Sequence, residues 1–146
     1  MRRKQPKHMV IRIIAVLKRA AVILFVLSAL SFLVTGLVSG RPTVFGIRPF
    51  FVMTDSMEPT IHAKSVILAV PADSGELRVG DIAVYRREAA LANSDMPDIY
   101  HLSFYVVHRV IRVEDGGQTY IFRGDHEKEE DPPVQAEQIL YRVIFP

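Results

Sequence analysis

The chain contains no cysteine, which excludes disulfides, thiolate nucleophiles and cysteine-built zinc sites. No acidic residue stands before Asp55, and no charge of either sign lies between Arg19 and Arg41. Internal repeats and low-complexity tracts are missing, as is the alternation of oxygen ligands around a turn glycine that a Ca²⁺ loop needs. With 146 residues, there is room for one domain and a short appendage but not for a second large domain.

What is present is unevenly distributed. Arg2, Arg3, Lys4, Lys7, Arg12, Lys18 and Arg19 precede the uncharged stretch, whereas all 16 acidic residues come after it. The sequence pI of about 9.0 therefore belongs to the N-terminus. A nucleic-acid partner is disfavoured, because the remainder is acidic and phosphate binding needs clustered Lys and Arg there. Overall 49% of residues are hydrophobic and 23% charged, a globular composition without collagen-like or disorder-like bias.

Residues 20–40 read AAVILFVLSALSFLVTGLVSG. As a helix they span about 31 Å, the thickness of the hydrocarbon core of a bilayer. The alternative is a cleaved secretory signal, with Val38-Ser39-Gly40 as a loose cleavage site, although the apolar core of such signals is ordinarily ~7–15 residues. The excess of basic residues before the span predicts a cytoplasmic N-terminus. The expected organisation is thus a basic cytoplasmic segment (1–19), a single transmembrane helix (20–40) and an extracytoplasmic domain (41–146) at the cell membrane.

Beyond Arg41, runs rich in Val, Ile, Phe and Tyr recur at Thr43 to Thr54, Ser65 to Val70, Asp81 to Arg86, Phe104 to Val113, Gln118 to Arg123 and Ile139 to Phe145. Their spacing predicts a mostly β domain. Asp115-Gly116-Gly117 is a hairpin signal that pairs the run containing His108 with the one ending at Arg123. Arg87 to Tyr100 lacks strand periodicity and reads as a surface excursion. The run from Val44 to Val52 has two readings, an ordinary core strand or an edge that receives an extended peptide and rests in the lipid interface. Glu127-Lys128-Glu129-Glu130-Asp131 reads as a solvated loop face rather than a metal site. His101 and His126 read as surface residues.

Without cysteine, a hydrolytic nucleophile must be Ser or Thr with a base beside it. Ser56 ends an apolar run and opens the turn Met57-Glu58-Pro59-Thr60, where a hydroxyl can stand clear of a sheet near backbone N–H groups. By itself Ser56 is equally a turn-capping residue and His108 a half-buried strand histidine. Asp125 alone fits an Asx-turn, and Asp131 a cap on the Pro132-Pro133 bend.

Four boxes occur in order: Thr54-Asp55-Ser56-Met57-Glu58-Pro59-Thr60-Ile61, Gly80-Asp81-Ile82-Ala83-Val84-Tyr85, Val107-His108-Arg109-Val110, and Gly124-Asp125 with Asp131 six residues later. Together they resemble the type I signal peptidase family over roughly residues 20–146. With His108 where one branch of that family carries lysine, the chain is similar to the Ser/His branch found in the endoplasmic reticulum and archaea.

The resemblance implies a mostly β fold with a single N-terminal transmembrane helix and a signal-peptidase-like catalytic domain. It makes Ser56 the nucleophile and His108 the general base, with Asp125 and Asp131 as acidic partners. The Ser56 backbone N–H and the Thr54 hydroxyl then serve as the oxyanion site. Asp55 departs from the glycine that many members carry between hydroxyl and nucleophile. The implied activity is removal of signal peptides from exported preproteins at the lipid bilayer, after small residues, with no metal or other cofactor. The rival expectations are a specialised processing peptidase with few substrates and an inactive membrane-tethered binding module of the same fold. A histidine can accept the serine proton near neutrality. Counting outward from the Asp115-Gly116-Gly117 turn sets Asp125 opposite His108, which makes Asp125 the expected partner of the ring.

Overall fold

The computed structural model describes residues 7–72, 75–89 and 102–145. The chain divides into two units, Met1–Phe45 and Gly46–Pro146.

The first unit is built on one helix, α1, Lys7–Ser39. It begins well before residue 20, so Arg12, Lys18 and Arg19 lie on the helix itself rather than in a separate leading segment. Met9–Ser39 is long and apolar enough to cross a membrane. Its large apolar side chains, Phe25 and Leu37 among them, are exposed. Gly40 ends it at φ +64°, donating to the Gly36 carbonyl at 3.1 Å, a left-handed cap that a side chain would disfavour. The chain then folds back on the last turns. The Thr35 hydroxyl donates to the Ser31 carbonyl at 2.8 Å and accepts the Thr43 N–H at 2.8 Å.

Among the described residues the second unit is an antiparallel sheet of seven strands: β1 Arg48–Phe51, β2 Val66–Pro71, β3 Ile82–Ala89, β4 Leu102–Glu114, β5 Thr119–Arg123, β6 Val134–Gln135 and β7 Ile139–Phe145. Their order is β1-β2-β7-β3-β4-β5-β6. Alternation along β3 sends Ala83 and Tyr85 into one apolar cluster with Val110, Tyr120, Phe122 and Ile139, and Val84 into a second with Val52, Met57, Ile61, Ile67 and Tyr141. Both faces of the central strands are therefore covered, which is why the first half of β3, Ile82 to Tyr85, reads as a continuous apolar run rather than as alternation.

Five of the six runs read from the sequence become strands with ends close to those expected. The run from Thr43 to Thr54 keeps only Arg48–Phe51. β3 continues through Arg87, Glu88 and Ala89 paired with Phe104, Ser103 and Leu102, so the expected excursion starts later than Arg87. Its remainder, and His101, lie outside the described residues. The two-residue strand β6 is too short for periodicity to register.

The hairpin between β4 and β5 forms where expected, with Asp115, Gly116 and Gly117 all at positive φ. Pairing starts as the turn dictates, Glu114 with Thr119 and Arg112 with Ile121, and then slips: Val110 pairs with Phe122 and Arg109 with Arg123. This bulge inserts one residue into β4, and a one-residue slip exchanges the faces of every side chain beyond it.

Candidate active site

Ser56 sits in the turn after β1. The turn is closed by Glu58 N–H to the Asp55 carbonyl and Ile61 N–H to the Met57 carbonyl, both at 2.9 Å. Met57 and Ile61 are buried to 0% and 1% exposure, so two apolar anchors immediately beyond Ser56 fix its backbone. Glu58 accepts the Ala63 N–H at 3.2 Å and meets His62 Nδ1 at 2.7 Å, bracing the turn from its outer side. Ser56 as a whole is half-buried.

His108 lies in the middle of β4, opposite Ala83, and is buried. Its Nε2 stands 3.1 Å from Ser56 Oγ and its Nδ1 2.6 Å from Asp131 Oδ2. Asp131 ionises below the ordinary carboxylate range. Burial opposes this, but the hydrogen bond and charge of His108, the Tyr85 hydroxyl and the Arg87 cation outweigh it. An ionised carboxylate only accepts, so Nδ1 carries the proton and the neutral ring presents a bare Nε2 to Ser56.

Asp125 is not the partner of the ring. Its carboxylate takes two hydrogen bonds from Arg109, at 2.8 and 2.7 Å, and this pair holds it below its ordinary range despite partial burial. The bulge in β4 is the physical reason. With Arg109 opposite Arg123, the next position, opposite His108, falls to Gly124 rather than Asp125. A Cβ on Gly124 would stand 2.5 Å from the Ser56 carbonyl oxygen and 3.1 Å from His108 Nε2. That glycine is required by space and not by its dihedral angles.

The loop after β5 then returns over the site. His126 N–H donates to the Ser56 carbonyl at 2.9 Å, Glu127 N–H to the Gly124 carbonyl at 3.0 Å and Asp131 N–H to the Phe122 carbonyl at 2.8 Å. The acidic run is therefore only in part a solvated face. Glu127, Lys128, Glu129 and Glu130 are all exposed, with Glu127 Oε2 reaching to 3.9 Å from His108 Nε2, while Asp131 is half-buried and meets the ring. His126 is exposed, as read from the sequence.

Thr54 Oγ1 lies 3.2 Å from Ser56 Oγ, at the same mouth. A cleft of about 460 Å³ opens here, walled by residues 51–56 on one side and 104–108 on the other, with Arg87, Glu127 and Asp131 completing it. β1 is the first strand of the sheet order and alternates half-buried with exposed positions. Phe50 packs edge-on against Tyr105 and Tyr141, while Phe51 is exposed. The apolar run thus provides core packing on one face and an open apolar surface on the other.

One ligand-type atom from each of His108, Glu127 and Asp131 falls within 4.8 Å of the others. Both ring nitrogens are already engaged, by Ser56 and Asp131, so a cation could take Nε2 only by displacing the serine. The donor set fits proton transfer better than metal ligation. Glu127, Tyr85 and Arg87 were not singled out by the sequence. The Gly124-Asp125 pair was, though for its aspartate rather than its glycine. No family model matches the chain, and no curated protein or solved structure matches it.

Proposed function

We propose that the chain is a membrane-anchored serine endopeptidase that removes signal peptides from exported preproteins, with α1 as its single span, its N-terminus cytoplasmic and residues from Gly46 onward outside. The observation that carries the reading is the unbroken line Ser56 Oγ to His108 Nε2 at 3.1 Å and His108 Nδ1 to Asp131 Oδ2 at 2.6 Å, at the wall of an open cleft. In this mechanism Ser56 Oγ attacks the scissile carbonyl as Nε2 takes its proton. Asp131 stabilises the imidazolium that forms. The Ser56 backbone N–H and the Thr54 hydroxyl meet the oxyanion; donors of this kind contribute roughly 3 kcal/mol each to lowering such barriers. The leaving amine then takes the proton from His108. Water, deprotonated by the same ring, releases the acyl group and restores the serine. In this reading the substrate peptide lies extended in the cleft lined by residues 51–56 and 104–108.

The test is cleavage of a model preprotein by the detergent-solubilised full chain, run beside Ser56→Ala. That substitution removes one hydroxyl from a half-buried residue and opens no core cavity, so activity is expected to vanish with Tm unchanged. Undiminished turnover by purified Ser56→Ala would remove the nucleophile from this mechanism. Counting the precursors that accumulate when the chain is deleted separates a general enzyme from one dedicated to few substrates.

A further inference from the structure

On the catalytic reading above, we infer that Tyr85 and Arg87 are positioning residues that hold the Asp131 carboxylate against His108. Within the β3–β4 register Ala83 lies opposite His108, Tyr85 opposite Val106 and Arg87 opposite Phe104, so the three alternate residues of β3 share the face from which the catalytic ring projects. Asp131 is held from both strands, one oxygen by each. Oδ2 is taken by His108 Nδ1, and Arg87 Nη1 reaches the other oxygen, Oδ1, at 3.4 Å.

Tyr85 supplies the second half of the argument. It is 1% exposed, and its hydroxyl has no hydrogen-bond partner among the described residues. Burying an unpaired phenol is costly enough that such groups call for a reason. Its ring stacks on Phe122 with centroids 4.6 Å apart, and the Phe122 carbonyl is the acceptor of the Asp131 N–H. Phenol and carboxylate therefore share a neighbour. They lie close enough to perturb each other's ionisation, although the contact falls short of a well-formed hydrogen bond. Burial, and then the Asp131 charge, push the phenol well above its ordinary range. Tyr85 thus stays a donor at any working pH. A carboxylate held only by His108 can turn about its own bond, whereas the Arg87 donor on Oδ1 and the dipole of the neighbouring buried phenol restrict its plane and favour the proton on the ring.

The experiment compares Tyr85→Phe, Arg87→Met and Arg87→Lys with the parent and with Ser56→Ala, all as full chain in detergent. The readouts are kcat and KM, the pH profile of kcat/KM, and Tm. Charged and titratable groups facing His108 are Asp131 and Glu127 from the loop, Asp125 paired with Arg109, and Arg87 and Tyr85 from β3. For Tyr85→Phe the expected result is a kcat about tenfold lower, the scale of removing a polar neighbour from a buried charged group, with KM within about twofold. In Arg87→Met a cation beside the Asp131–His108 pair is gone, so the acid limb of kcat/KM moves to higher pH; Arg87→Lys keeps the charge and returns the limb towards its parental position. A purely structural role would lower Tm and leave kcat and the limb alone. An inactive Ser56→Ala beside Tyr85→Phe and Arg87→Met with parental kcat and pH profile overturns this inference and leaves the catalytic reading standing. Ser56→Ala that still cleaves overturns the reading beneath it.

Discussion

Two aspartates of the same box have different duties, and the difference is measurable. Asp131 accepts from His108 Nδ1 at 2.6 Å, so Asp131→Asn presents an amide that no longer enforces the reactive tautomer. Removing the acid of such a triad typically costs on the order of 10³–10⁴ in kcat. Asp125 serves Arg109, which also reaches the Gly80 carbonyl at 2.8 Å and so ties the β4–β5 region to the turn before β3. Asp125→Asn should therefore lower stability by about 1–3 kcal/mol, as expected for a hydrogen bond to a charged group, with a much smaller loss of kcat. Steady-state kinetics and thermal melts of the two purified variants decide between them, and a larger kcat defect in Asp125→Asn would reverse the assignment. Gly124→Ala puts a methyl 2.5 Å from the Ser56 carbonyl oxygen. Since that oxygen is backbone and cannot swing aside, the turn must shift, and a displacement near 1 Å at such a site can cost about 10²-fold in rate. Parental activity in Gly124→Ala would show that the loop can give way.

At the scale of elements, Ser56 owes its position to the turn after β1 and to the two anchors beyond it. Met57 is fully buried against the cluster of Val52, Ile67 and Tyr141. Truncation to alanine at such a site typically destabilises by about 2–5 kcal/mol, because transfer and cavity terms add. Met57→Ala should lower Tm and also depress kcat among molecules that remain folded, since the adjacent Ser56 loses its anchor. Met57→Leu, which preserves volume, should restore most of both. Calorimetry with active-site titration distinguishes this from simple loss of folded protein. The β4 bulge between Val110 and Arg112 is the other element-scale device. It sets a glycine, and not a carboxylate, opposite the His108 ring, and so leaves the loop to deliver the acid.

For the whole molecule, acid stability depends on the same two carboxylates. Arg109 holds Asp125 below the ordinary carboxylate range, and Asp131 is held below it because His108, Tyr85 and Arg87 outweigh burial. A group with a depressed folded pKa contributes stability that is fully present above its unfolded value and is lost as pH falls through the folded one. Tm is therefore expected to be insensitive to these two groups from about pH 5 upward, given the unfolded aspartate value, and to decline below about pH 4. In Asp125→Asn and Asp131→Asn the decline should be shallower. A parent Tm that stays flat down to about pH 3, below the unfolded aspartate value, would contradict it.

Much of this was legible in the chain. The charge-free stretch after Arg19 sits within α1, because a run of apolar side chains reports its own helix. The Asp115-Gly116-Gly117 turn starts the hairpin as read, because positive φ is a local demand that glycine meets. Ser56 and His108, chosen from residue type and order, come together across 52 positions of sequence. Tertiary structure alone decided the third member of the site. A bulge of one residue leaves no mark on periodicity over so few positions, yet it exchanges the faces of all later side chains in the pairing. The return of the loop to bring Asp131 home depends on backbone bonds to Ser56 and Phe122, distant partners that no local pattern encodes. For the same reason Tyr85 and Arg87, ordinary members of a strand when read in order, acquire a role only once β3 lies beside β4.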